Sequence, residues 1–139
     1  MWKQIYLMGT IKCMKHLVVL HKEPLNDVLS GKKTIESRFT MVRCLPFGRV
    51  MGGDRLLLKQ AAGPVKGVAT AAKVLFFENL SPKKVRELFN KYPGIRAGPC
   101  FIKMKESSRY ATLIFLEDVK RLEPYKVDKK DRRPWVVLD

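Results

Sequence analysis

The stretch Gly31-Lys32-Lys33-Thr34-Ile35-Glu36-Ser37-Arg38 holds the densest chemistry in the chain, with four ionisable groups within seven residues. On a strand beginning at Thr34, the period of two places Thr34, Glu36 and Arg38 on one face and Ile35, Ser37 and Phe39 on the other. Glu36 and Arg38 are then neighbours, and a carboxylate can hold the guanidinium fork by a bidentate contact. Lys33 joins them only if it lies in a turn where Gly31 redirects the chain. A lysine held near Arg38 and partly desolvated has its pKa lowered, which makes it a general base or nucleophile, with Glu36 as proton relay and a carbonyl or phosphoryl centre as target. Equally, Lys33 and Arg38 can bind phosphate oxygens while Glu36 fixes the arginine. The bland alternative is a solvated strand edge with a weak Glu36/Arg38 ion pair.

Other candidates are more dispersed. Arg43, Arg49 and Arg55 surround a Pro/Gly-rich loop and, with Lys32, extend the positive region toward a polyanion. Arg109 and Tyr110 can pair with and stack on a base as single-strand binders do, although Tyr110 opens an apolar strand and fits a core equally well. Phe76 and Phe77, adjacent on a strand, must point opposite ways, one to the core and one to an edge. Ser81-Pro82-Lys83-Lys84 makes a basic helix start that can receive a phosphate or simply be a solvated face. Cys13, Cys44 and Cys100 are odd in number and far apart, and neither they nor His16 and His21 have metal-ligand or Cys/His catalytic spacing, so no metal or cofactor is expected. They suit a reducing, cytoplasmic compartment.

The chain that must position these groups has 139 residues, with 28 Lys plus Arg against 13 Asp plus Glu, a formal net charge of +15. A chain of this size buries roughly two-thirds of its unfolded surface, enough for one domain with its own core. The 46% hydrophobic fraction excludes a disordered basic tail, and no apolar run approaches the ~18 residues of a membrane span. Self-repulsion among the positive charges makes nucleic acid the first partner to consider. Lys-rich surfaces also occur in proteins selected for solubility or heat stability.

Apolar periodicity and turn residues predict strands at 16–20, 34–39, 54–60, 65–77 and 110–116, the last continuing toward 122 with Pro124 as its stop. The 65–77 strand should bend near 69–72, where Gly67 permits a bulge or close approach. Helices are predicted at 23–30, stopped by Gly31, and from Ser81 to the break at Tyr92-Pro93-Gly94, with Val85, Leu88 and Phe89 as apolar stripe. Residues 96–108 read ambiguously. Residues 1–14 form an N-terminal extension and 126–139 a basic tail, flexible and solvated through Lys129, Lys130, Arg132 and Arg133, in which Trp135 can dock on the domain. The fold class is α+β, a small mixed or mostly antiparallel barrel with two or three flanking helices.

Gly31-x-Lys33-x-x-Glu36-x-Arg38 resembles the G-x-K-x-x-E-x-R signature of the ASCH domain family, whose β-barrel is related to the PUA domain. Gly53-Asp54-Arg55-Leu56-Leu57-Leu58 is similar to that family's strand start of Gly-Asp, any residue and three apolar residues, and the resemblance covers about residues 15–125. It implies a cleft beside the signature and a role with RNA or a modified nucleoside or nucleotide. Some members are small hydrolases: one branch deacetylates N4-acetylcytidine with the lysine matching Lys33, and another is reported to cleave RNA. The deacetylating branch carries threonine where this chain has Glu36 and needs a distant glutamate, for which Glu78 and Glu106 are the candidates. The expectation is a monomeric RNA- or nucleotide-binding module with a basic cleft. The alternative is an amidohydrolase or ribonuclease using Lys33, Glu36 and Arg38.

Overall fold

The computed structural model describes residues 13–138, so most of the expected N-terminal extension lies outside the described residues. In chain order the elements are β1 (Lys15–Leu20), α1 (Lys22–Leu29), β2 (Ile35–Thr40), β3 (Arg55–Gln60), β4 (Val65–Phe77) and α2 (Pro82–Lys91). A 3-10 turn (Pro93–Ile95), α3 (Pro99–Lys105), β5 (Tyr110–Tyr125) and β6 (Trp135–Leu138) complete them. The strands form one mixed sheet in the order β2-β5-β4-β3-β1-β6, in which only β1 and β3 pair in parallel. Together with the three α-helices this is an α+β half-barrel.

Its curvature is built into β4. Register against β5 shifts between Val65 and Gly67, Val68 and Thr70, and Ala71 and Lys73, and each such bulge bends and twists the strand. A Cβ at Gly67 would lie 2.5 Å from Leu29 Cδ2 and 2.9 Å from the Lys120 carbonyl, so the absence of a side chain lets α1 and β5 close on the strand. β5 runs past Pro124 to Tyr125, further than the sequence predicts. Its far end pairs only with β4, and a sheet tolerates proline where no second neighbour needs the amide.

Two apolar clusters lie on opposite faces. Inside the curve, Val18, Leu20, Leu56, Leu58 and Ile114 pack with Leu25 and Val28 of α1 and with Trp135 of β6. On the outer face, Ile35 and Phe39 of β2 pack with Val85, Leu88 and Phe89 of α2 and with Ile95, and the Phe39 and Phe89 rings stack at 4.6 Å. Helix α2 starts as expected: Ser81 Oγ accepts from Lys84 N at 3.3 Å and Pro82 occupies the first turn. The ambiguous segment 96–108 contains α3, and the 3-10 turn at Pro93–Ile95 occupies the break expected after α2.

Residues 126–134 do not trail away from the sheet. Trp135 is buried and β6 pairs antiparallel with β1, so the basic segment before it is drawn across the molecule. Trp135 docks as expected, and Lys130, Arg132 and Arg133 stay exposed as their charge predicts; what the sequence did not show is the course of the segment past the site. Burying a tryptophan in the core outweighs the tendency of the charges to stay separate.

Candidate functional site

The signature is assembled by the end of α1. Gly31 adopts φ +84°, a conformation that favours glycine, and its amide donates to the Val28 carbonyl at 3.1 Å. The Lys33 amide donates to Asp27 O and the Thr34 amide to Gly94 O, both at 3.0 Å. Lys33 therefore lies in the turn that its participation requires. A Cβ on Gly94 would collide with Thr34 Oγ1, so glycine there allows the 3-10 turn to pack on the start of β2 and bring the Ile95 carbonyl over Lys33.

Lys33 Nζ donates to Ile95 O at 2.5 Å and stands 3.8 Å from Glu36 Oε1. Arg38 Nε donates to Glu36 Oε2 at 2.7 Å, Arg38 Nη2 stands in ion-pair contact with the same oxygen at 2.7 Å, and Nη2 donates to Val19 O at 3.0 Å. The side chains of Lys33, Glu36 and Arg38 are only 10%, 6% and 16% exposed, which separates this group from a solvated strand edge. Burial pulls the Lys33 pKa below its ordinary 10.5; Glu36 opposes that shift, Arg38 adds to it, and Asp27 opposes it.

A buried network holds Arg38 from below. Trp135 Nε1 donates to His16 Nδ1 at 3.0 Å, and since tryptophan can only donate, His16 Nε2 carries the hydrogen toward Asp54 Oδ2, 2.8 Å away. Asp54 also accepts from the amides of Met14 and Met51, each at 3.0 Å. The Arg38 guanidinium lies 5.2 Å from the centre of the Trp135 ring, a cation–π distance. Gly53-Asp54 and the lysine-glutamate-arginine stretch, far apart in sequence, are thus linked through His16 and Trp135.

Lys33, Glu36 and Arg38 form the floor of a cleft of about 700 Å³, a size usual for small-ligand sites. Its walls come from β1, α1, β2, the turn after Ile95, α3 and the segment before β6. Seven Lys or Arg residues line it against three Asp or Glu, so its charge is positive. Arg96, Lys105, Lys129, Arg132 and Arg133 carry the excess at its walls, and Phe101 adds an aromatic surface that is 38% exposed. Arg96 is tied to Asp27 at 3.1 Å and Arg133 to Asp131 at 2.6 Å.

Of the residues singled out in sequence, Lys33, Glu36 and Arg38 converge. Lys32, Arg43, Arg49, Arg55, Arg109 and Tyr110 do not line the cleft. Arg55 alternates with the core residues Leu56 and Leu58 and so faces out; Lys32, Arg49 and Arg109 are exposed. Arg43 stacks 4.8 Å from the Phe47 ring centre, and Phe47 packs on Tyr110 at 5.3 Å. Glu78 and Glu106 are not at the cleft either, Glu106 being paired with Arg86 at 2.9 Å; its acidic wall residues are Glu23 and Asp27. Sequence reasoning missed Asp27, Arg96, Arg132, Arg133 and the Asp54–His16–Trp135 network. The Gly53-Asp54 motif, of which Asp54 is buried, and the expected docking of Trp135 hinted at the last. Among the described residues no three His, Cys, Asp or Glu side chains converge on a metal position, and none of the helices is long and apolar enough to cross a membrane.

No protein-family model matches the chain, and no curated protein matches it in sequence. Solved structures do. It is similar to the ASCH protein of Zymomonas mobilis, with TM-score 0.69 and 18% identity over 90% of this chain and 87% of that one. A tyrosine-to-phenylalanine mutant of the same protein matches at TM-score 0.69 and 20% identity, over 90% of each chain. The half-barrel with its three helices is therefore an ASCH fold of the PUA-like type.

Proposed function

We propose that the protein is an RNA- or nucleotide-binding module that works in a reducing, cytoplasmic setting, where its three exposed thiols stay free. The observation that carries this reading is a positive cleft whose floor holds buried, mutually oriented polar groups. Arg38 occupies Glu36 Oε2, which leaves Oε1 able to accept from an exocyclic amine of a base. Lys33 Nζ, 3.8 Å from that oxygen and with hydrogens beyond the one given to Ile95, supplies a donor beside the acceptor. A base edge that alternates donor and acceptor fits this pair. Phe101 offers a face for stacking, and Arg132 and Lys105 are placed to meet phosphate oxygens.

The test is equilibrium binding of a fluorescent single-stranded oligoribonucleotide by anisotropy. Wild type should bind, and Lys33→Met and Arg38→Met, checked for folding by circular dichroism, should weaken binding at least ten-fold. Equal affinity in wild type and both variants would remove the cleft from the account.

One observation favours a hydrolytic second reading: Lys33 has a lowered pKa at the cleft floor, as a general base requires. In that reading Lys33 takes a proton from the attacking water or ribose hydroxyl. Arg38 Nη1, which makes no hydrogen bond among the described residues, stabilises the oxyanion that forms. Mass spectrometry of N4-acetylcytidine and of RNA incubated with wild type and Lys33→Ala tests it; unchanged substrates with wild type would exclude it.

A further inference from the structure

The strand that carries Glu36 and Arg38 continues to a second surface that adjoins the cleft. Arg38 is opposite Thr112 on β5, and Thr112 is opposite Phe76 on β4. Two residues along, Thr40 is opposite Tyr110. These five residues consequently share one face of the sheet, and Thr40 is also a wall residue of the cleft. Two strand residues advance the chain by about 7 Å, so the Tyr110 row directly adjoins the site floor.

Phe47, from the loop between β2 and β3, lies on this face with its ring 5.2 Å from Phe76 and 5.3 Å from Tyr110 in edge geometry. The Arg43 guanidinium covers Phe47 at 4.8 Å. Phe76 is 39% exposed, and Met41, Val42 and Met51 around the same loop are each about two-thirds exposed. A protein of this size rarely leaves such apolar surface open without a partner. Arg43, Arg49 and Arg109 are exposed beside it, against Glu78 as the exposed acidic residue next to the β4 end.

We propose that Phe76, Phe47 and Tyr110, with Arg43, form a second subsite that stacks a base of a single-stranded nucleic acid whose neighbouring nucleotide occupies the cleft. The inference rests on the RNA-binding reading and sharpens it: the ligand is a strand spanning both surfaces rather than a free nucleoside. Aromatic faces beside arginines are the sequence-tolerant way to hold successive bases. The cleft takes one nucleotide, and the platform takes the next one or two.

The experiment compares anisotropy titrations of uridylates of one and of about 12 nucleotides, the first filling the cleft alone and the second long enough to reach both surfaces. Wild type should bind the longer strand more tightly. Phe76→Ala and Arg43→Ala should each lose roughly ten-fold for the longer strand, the scale of one stacked base, with the single nucleotide unaffected and Phe76→Trp restoring affinity. Both positions are exposed enough to change without loss of the fold. If both variants bind the longer strand as wild type does, while Arg38→Met still abolishes binding, the second subsite is overturned and the cleft reading stands. If wild type binds neither uridylate, both fall. If sedimentation shows self-association that Phe76→Ala abolishes, the patch belongs to a second copy and the proposal is overturned.

Discussion

Replacing Glu36 by Gln preserves the side-chain shape and one carbonyl acceptor but removes the charge shared by Arg38 and Lys33. In the structure Glu36 Oε2 takes one arginine hydrogen bond and one further ion-pair contact, both at 2.7 Å, and its partners are nearly as buried as it is. Neutralising one member of such a buried pair leaves the other charge uncompensated and costs about 3–5 kcal/mol. The amide oxygen still accepts from Arg38, so the lower end of that range, about 3 kcal/mol, applies. For a domain of this length that is a fall in Tm of roughly 10 °C. Thermal unfolding followed by circular dichroism measures it, with Glu106→Gln as an internal control. The Arg86–Glu106 pair spans 2.9 Å, but its side chains are 50% and 28% exposed, so its loss should cost about 1 kcal/mol or less. A double-mutant cycle of Glu36→Gln with Arg38→Met should show a loss smaller than the sum of the singles. A Glu36→Gln protein within about 0.5 kcal/mol of wild type, the usual surface scatter, would mean that the trio is a screened strand edge and the reasoning fails.

Three more outcomes follow from the same geometry. Because burial lowers the folded-state pKa of Lys33 below 10.5, the unfolded chain holds more protons between the two values. The Lys33 contribution to stability is then least favourable at neutral pH and improves as pH rises through that window; urea midpoints of wild type should gain on those of Lys33→Met from neutral to alkaline pH, and a constant difference would contradict the burial argument. Trp135→Phe removes the donor to His16 Nδ1 and should destabilise by about 1–3 kcal/mol in urea titration, whereas a loss below about 0.5 kcal/mol would show that the network does not hold β6. The Asp131 carboxyl is pulled down to about 2 by its hydrogen bonds from Arg133, so it stays ionised and occupies that arginine at neutral pH. Asp131→Asn should tighten RNA binding two- to five-fold and steepen its salt dependence by less than one unit of slope; weaker binding would place Arg133 outside the contact.

Most of the fold was legible because local signals agreed with it. Ser81-Pro82 and the Val85, Leu88, Phe89 stripe specified α2, and the alternation from Thr34 to Phe39 placed Ile35 and Phe39 together in the core and Glu36 beside Arg38. What was not legible depended on contacts distant in sequence. No local pattern could show that Ile95 O would face Lys33 62 residues away, or that Trp135 would reach His16 across 119 residues. The exposure of Lys130, Arg132 and Arg133 was legible because charge is a local property, while the position of the run follows from the burial of Trp135. Likewise Arg55 looked like part of the positive surface by proximity to Gly53-Asp54, and only the pairing of β3 shows that it points to the opposite face from the cleft.

The net charge of +15 could attract RNA over the whole surface, so the decisive measurement locates the contact. Amide chemical-shift mapping during titration with a single-stranded oligoribonucleotide at moderate salt does this. The account predicts saturable shifts confined to residues 33–40, 94–105 and 129–135 and the adjoining Tyr110 and Phe76 platform. Shifts centred on Arg55 and the outer face of the sheet, or spread evenly over the exposed lysines, would contradict it.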